Sequence, residues 1–65
     1  MVSLDIGEIG FRKATYQALK RANINDVEEL LNCTKEDLLK IKHLGFGRTK
    51  EIEIILAKYG YPLKD

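Results

Sequence analysis

The chain has one cysteine and one histidine among its 65 residues, and this scarcity removes whole classes of chemistry. Cys33 has no second thiol for an intramolecular disulfide, and Cys33 with His43 is too small a set for a zinc site. No apolar run approaches the ~20 residues that cross a bilayer. The start lacks the basic-then-apolar order of a secretory leader. Charge of one sign is not in excess either, since 11 Lys/Arg face 10 Asp/Glu for a net charge of +1. The expectation is a cytoplasmic protein with no cofactor, no metal and no membrane contact. Catalysis is not expected. His43 has no sequence-evident acid or nucleophile partner, Ser3 and the carboxylates form no recognisable pair, and so short a chain offers little concavity for a small-molecule substrate. The length suits one domain near the lower limit for an unstapled core.

The small net charge conceals a segregated pattern. Residues 26–37 hold five acids (Asp26, Glu28, Glu29, Glu36 and Asp37) and one base, Lys35. Residues 38–50 hold four bases (Lys40, Lys42, Arg48 and Lys50) and no acid. A second basic cluster is formed by Arg12, Lys13, Lys20 and Arg21. A near-neutral protein of this kind can present a basic face and an acidic face. Taken singly, Lys20, Lys35, Lys40 and Lys58 read as ordinary solvated surface.

No alternation of period two is present, so the sequence reads as all-α: a compact bundle of four short helices behind an irregular N-terminal arm. The arm covers residues 1–10 and is expected to pack Leu4, Ile6 or Ile9 onto a helical domain at 11–65. A first helix is expected from Phe11 to Ala22, with Phe11, Ala14 or Thr15, Ala18, Leu19 and Ala22 inward. Asn23-Ile24-Asn25 breaks it. Asn25 then caps a second helix with Glu28 completing a capping box, and Val27, Leu30 and Leu31 are its buried stripe. Thr34 caps a third helix with Asp37 at its third position, and Leu38, Leu39 and Ile41 bury it. A fourth helix is expected from Arg48 to Tyr59, with Ile52, Ile55, Leu56 and Tyr59 inward and Ile54 largely exposed. Gly60 supplies its left-handed C-terminal cap and Pro62 prevents continuation.

The stretch from Lys42 to Ile52, K-H-L-G-F-G-R-T-K-E-I, carries the functional signal. Gly45 and Gly47 can take backbone angles closed to other residues and have no side chain to block a close approach. The helix that follows starts with unpaired N–H groups and a partial positive charge. Such a turn can hold a phosphate on backbone donors, with Arg48 and Lys50 adding full charges. The pattern is like the second half of a helix-hairpin-helix, a nucleic-acid-binding unit. A plain interhelical turn, with Phe46 plugging the core, is the other reading of the same residues.

The order of blocks resembles the C-terminal domain of the bacterial RNA polymerase alpha subunit. The resemblance rests on T-Y-Q-A-L-K-R-A-N-I at 15–24, V-E-E-L-L at 27–31 and T-K-E-D-L-L-K-I at 34–41. It continues through H-L-G-F-G-R-T-K-E-I at 43–52 and I-L-A-K-Y-G-Y-P-L at 55–63. The resemblance implies four short helices behind an arm. It also implies that the start of the first helix and the glycine turn form one surface for the A·T-rich minor groove, with other faces meeting transcription activators and the sigma subunit. A narrow A·T groove concentrates negative potential and attracts an inserted arginine.

Carried over by position, the family's groove arginine falls at Ala14 and its neighbouring asparagine at Gln17, while the cysteine after that falls at Ala18. The turn glycine is kept as Gly45. The lysine two positions on becomes Gly47, the next serine becomes Arg48, and an acidic residue is kept as Glu51. Tyr16, Lys20 and Arg21 match positions where some members meet regulators. Arg12 and Lys13 precede Ala14, and a helix rotates ~100° per residue. They point elsewhere unless the helix starts later or the arm bends. The departures at Ala14, Gln17 and Gly47 favour a stand-alone relative or a domain of another protein over an excised polymerase domain.

Two functions follow as expectations. One is a non-catalytic DNA-binding module in transcription that contacts double-stranded, A·T-rich DNA weakly through Arg12, Lys13, Gln17, His43, Gly45, Gly47, Arg48 and Lys50. The other is a protein-interaction module of the same fold that has lost the groove. It would dock a transcription regulator or a polymerase component through Tyr16, Lys20, Arg21, Glu51 and Ile54.

Overall fold

Helix boundaries in this protein follow short polar punctuation, which the computed structural model describes for residues 4–61 and 63. Four helices result: α1 (Lys13–Arg21), α2 (Val27–Leu31), α3 (Lys35–Leu39) and α4 (Gly45–Lys58). No strand is present among the described residues. An isolated antiparallel bridge joins Asp5 to Asp26, carried by Ile6 N–H donating to the Asn25 carbonyl at 3.2 Å and Val27 N–H to the Leu4 carbonyl at 2.8 Å.

Five-residue helices do not persist alone in water, so α2 and α3 depend on caps and burial. At α3 the Thr34 hydroxyl accepts from Asp37 N–H while the Asp37 carboxylate accepts from Thr34 N–H, both at 3.0 Å. At α2 the expected cap moves by one residue. Asp26, not Asn25, is the N-cap, and its carboxylate accepts from Glu29 N–H at 2.8 Å. Glu29, not Glu28, reaches back to accept from Asn25 N–H at 2.9 Å. The bridge to the arm holds Asp26 extended, so the helix begins only at Val27.

Both longer helices end in left-handed turns. After α1, Asn23 has φ 63°, and Asn23 and Ile24 N–H donate to the Lys20 and Leu19 carbonyls. After α4, Gly60 has φ 76°, and Gly60 and Tyr61 N–H donate to the Ala57 and Leu56 carbonyls. Each satisfies carbonyls that the helix end leaves open. The expected role of Pro62, like Ser3, lies outside the described residues.

The core is one cluster drawn from every segment: Ile6 and Ile9, then Ala18 and Leu19, Ile24, Val27, Leu30, Leu38, Leu44, Ile52 and Leu56. Each fully buried Leu or Ile contributes ~1.5–3 kcal/mol of transfer free energy. Of the two alternatives Ala14 and Thr15, Thr15 is buried, while Ala14 and Ala22 are exposed and Phe11 lies just before the helix, half-buried. Leu31, Leu39, Ile41 and Ile55 are half-buried rather than buried. Tyr59 is half-exposed. It stacks on Tyr61 and donates from its hydroxyl to the Ile9 carbonyl at 3.4 Å. Ile54 is exposed, as its angular offset from the inner stripe requires.

The largest revision is at the start of α4. The helix begins at Gly45 rather than Arg48, so the glycine pair is its first turn. Phe46 does not plug the core. It is 67% exposed, and Leu44, fully buried, fills that position.

Candidate nucleic-acid interface

The turn between α3 and α4 is tight because two residues take left-handed angles, His43 at φ 69° and Gly45 at φ 73°. Histidine tolerates that region better than β-branched residues do. Leu44 lies between them, and its N–H donates to the Ile41 carbonyl at 3.2 Å. Arg48 folds back so that a guanidinium N–H donates to the His43 carbonyl at 3.3 Å. Thr49, buried, donates its hydroxyl to the Gly45 carbonyl at 2.8 Å. Gly47 has ordinary helical φ, and a Cβ added there meets nothing within 4 Å. Only Gly45 therefore uses the freedom that both glycines offer.

Helices α2 and α3 have capping side chains and acids in their first turns. Helices α1 and α4 have neither: the caps Arg12 and Leu44 make no side-chain hydrogen bond, and both first turns lack an acid. These two positive helix ends meet across one open groove of about 740 Å³, walled by Arg12, Ala14, Gly45, Gly47, Arg48, Lys50 and Ile54. Glu51 lies in its lining, half-buried. Its carboxylate accepts from Arg12 N–H and from the Thr15 hydroxyl, both at 2.9 Å. The one acid in the groove is thus engaged in holding α4 to the start of α1.

The structure brings together Arg12, Gly45, Gly47, Arg48 and Lys50 from the expected DNA-contacting set. Arg12 reaches the groove because α1 starts at Lys13 and leaves it extended, at φ −64° and ψ 156°. Lys13 lies elsewhere, lining a shallow depression with Gly7, Phe11 and Tyr16. His43 lines a third, with Arg21 and Lys42. Gln17 is exposed and lines none of the three.

The expected protein-contacting residues also divide. Tyr16 is half-buried, with the exposed Lys20 ammonium 6.0 Å from its ring centre. Arg21 instead lines the depression with His43, while Glu51 and Ile54 belong to the groove. Sequence reasoning passed over Thr15 and Thr49 as polar anchors and Leu44 as the core plug. No local pattern marks the Thr15–Glu51 contact, which spans 36 residues.

The groove joins three cations, the bare start of α4 and a floor approachable at Gly47, an arrangement suited to phosphate oxygens. Among the described residues no cluster of three or more His, Cys, Asp or Glu is placed to hold a metal. No helix there is long and apolar enough to cross a membrane. Cys33, half-buried with its thiol 3.7 Å from the Glu29 carbonyl, is pushed above the ordinary thiol pKa by burial, then by the Asp37 and Glu29 carboxylates.

Residues 2–58 match the family model for the C-terminal domain of the bacterial RNA polymerase alpha subunit. The chain is 35% identical over 65 residues to the DNA-directed RNA polymerase subunit alpha of Oceanobacillus iheyensis, covering 100% of this chain and 21% of that protein. It is 40% identical over 62 residues to the subunit of the same name from Corynebacterium diphtheriae, covering 95% of this chain and 18% of that protein. For the subunit of Heliobacterium modesticaldum the identity is 36% over 64 residues, covering 98% and 20%. The chain thus spans about a fifth of the length of these relatives.

Proposed function

The chain belongs to the family of C-terminal domains of the bacterial RNA polymerase alpha subunit, and on that premise we propose that it is a non-catalytic DNA-binding module acting in transcription in the cytoplasm. Its site is the groove between α1 and α4, taken to follow the backbone of A·T-rich duplex DNA at the minor groove. The observation that carries this reading is the convergence of Arg12, Arg48 and Lys50 with the start of α4, which no side chain caps. Arg48 and Lys50 meet phosphate oxygens, the first amides of α4 donate to a phosphate, and Arg12 takes the direction toward the groove floor. Binding of this kind is weak and falls steeply with salt, because each neutralised phosphate releases a counterion.

A second reading has its own observation. The position where the resemblance puts the family's groove arginine is Ala14, exposed on the α1 wall of the groove, and Ile54 is exposed on the α4 wall. Loss of one such cationic contact removes ~1–3 kcal/mol from a modest binder. A domain so altered could dock a transcription regulator or a polymerase component instead, through Ile54 and the Tyr16–Arg21 face.

Amide-shift NMR titration with a short A·T duplex and a G·C control, at low and near-physiological salt, separates the two. Groove binding gives shifts at Arg12–Ala14 and residues 43–50 that weaken with salt and are larger for A·T. Silence at low salt removes the DNA reading and leaves the protein partner.

A further inference from the structure

Phe46 is unexplained by the fold. It is the most exposed large apolar side chain among the described residues, at 67%, and Leu44 already fills the core position beside it. Its neighbours in sequence are both glycines, which carry no side chain to cover the ring. Lys50, one helical turn on at i+4, shares its side of α4 and lines the groove. On α3, the Lys35 ammonium is placed over the ring at 5.6 Å from its centre. That ammonium lies 3.3 Å from Glu53 Oε1, a charge contact outside hydrogen-bond alignment. The ring therefore stands on the Lys50 side of α4, beside the groove lining rather than in it, largely exposed and with a cation over one face.

We propose that Phe46 is a stacking platform for one unpaired nucleobase beside the groove, so that the domain takes single-stranded DNA as well as duplex. This rests on the nucleic-acid reading of that groove and deepens it. A solvent-facing aromatic flanked by cations is the combination that binds single strands without sequence preference: the π-face takes any base and the cations take the neighbouring phosphates. The alternative use of an apolar ring at a minor groove is as a wedge between stacked base pairs. A wedge is enclosed on both faces, whereas Lys35 occupies one face of Phe46. The geometry therefore selects a single base stacked on the free face, as at a strand end, a melted A·T step or an open loop.

The protein has no tryptophan, so Phe46→Trp introduces a sole indole reporter at this position. The expected result is quenching of its emission by an oligothymidylate strand and little change with a blunt A·T duplex at matched occupancy. Phe46→Ala, whose exposed position spares the core, is expected to lose ~10-fold or more in affinity for the single strand and less than ~2-fold for the duplex. Circular dichroism confirms that the variant stays folded. Equal losses for both forms, loss for duplex alone, or no loss at all overturns the platform while leaving duplex binding by Arg12, Arg48 and Lys50 in place. Single-strand binding without duplex binding keeps the platform and removes the duplex reading. Absence of binding to either form overturns both.

Discussion

Glu51 and Thr15 are separated by 36 residues, and the Thr15 hydroxyl donates to Glu51 Oε1 at 2.9 Å. The other carboxylate oxygen accepts from Arg12 N–H at the same distance. One side chain of α4 therefore caps α1, whose own N-cap residue makes no side-chain hydrogen bond. The same contact sets the spacing of Arg12 from Arg48 and Lys50 across the groove. An acid in a cationic groove is here a structural tie between its two walls.

Removing that tie destabilises the domain and disorders its groove. Glu51→Ala loses two hydrogen bonds to a charged acceptor and is expected to cost on the order of 2–3 kcal/mol. Thr15→Val, which keeps the volume and loses one bond, costs ~1 kcal/mol. Urea denaturation of the single and double variants measures the coupling between them. Strict additivity of the two losses would mean the contact contributes nothing.

The two glycines are predicted to respond in opposite directions. Gly45, at φ 73°, cannot take a side chain without strain, so Gly45→Ala costs ~1–2 kcal/mol. Gly47 has helical angles and open space around it, so Gly47→Ala gains ~0.5–1 kcal/mol from helix propensity. Thermal melts of the pair decide the matter. A stabilised Gly45→Ala would contradict the left-handed angle.

Ala14 is exposed on the groove wall, so an arginine fits there without repacking. Ala14→Arg is expected to raise affinity for an A·T duplex about tenfold. It should also steepen the dependence of log K on log salt by ~1. Fluorescence anisotropy across a salt series reads both. An unchanged slope would place position 14 away from the bound DNA.

Cys33 is predicted to be a sluggish thiol. Burial and the nearby Asp37 and Glu29 carboxylates raise its pKa, so little thiolate forms near neutral pH and alkylation by iodoacetamide is slower than for a free thiol. Because the folded thiol keeps its proton to higher pH than the unfolded one, its contribution to stability is complete below the unfolded thiol pKa. That contribution fades as pH rises through the folded value. The alkylation rate against pH, native and in urea, tests this, and equal rates in the two states would refute it.

Features written within a few neighbouring residues are legible in the sequence alone. Thr34 with Asp37, the Asn23 break and the Gly60 stop depend only on backbone groups within a turn, and each appears where the local pattern puts it. The second cap is displaced by one residue, from Asn25 to Asp26, because both side chains can accept at an N-cap. The bridge from Asp5 to Asp26, a contact across 21 residues, chooses between them by holding Asp26 extended.

What the sequence by itself determined is therefore the number of helices, most of their ends, the all-α class and the segregation of charge. Hydrophobic period and capping chemistry act within a few residues, and both are present here in plain form. Tertiary structure alone decided which cations share a groove. Arg12 joins Arg48 and Lys50, while Lys13 and His43 face other depressions. It also turned Leu44 inward and Phe46 outward, and committed Glu51 to α1. Each outcome depends on how distant segments meet in one core. There Ile52 and Leu56 of α4 and the adjoining Leu44 join Leu19, Leu30 and Leu38 in a single buried cluster, and such packing among distant residues has no local signature.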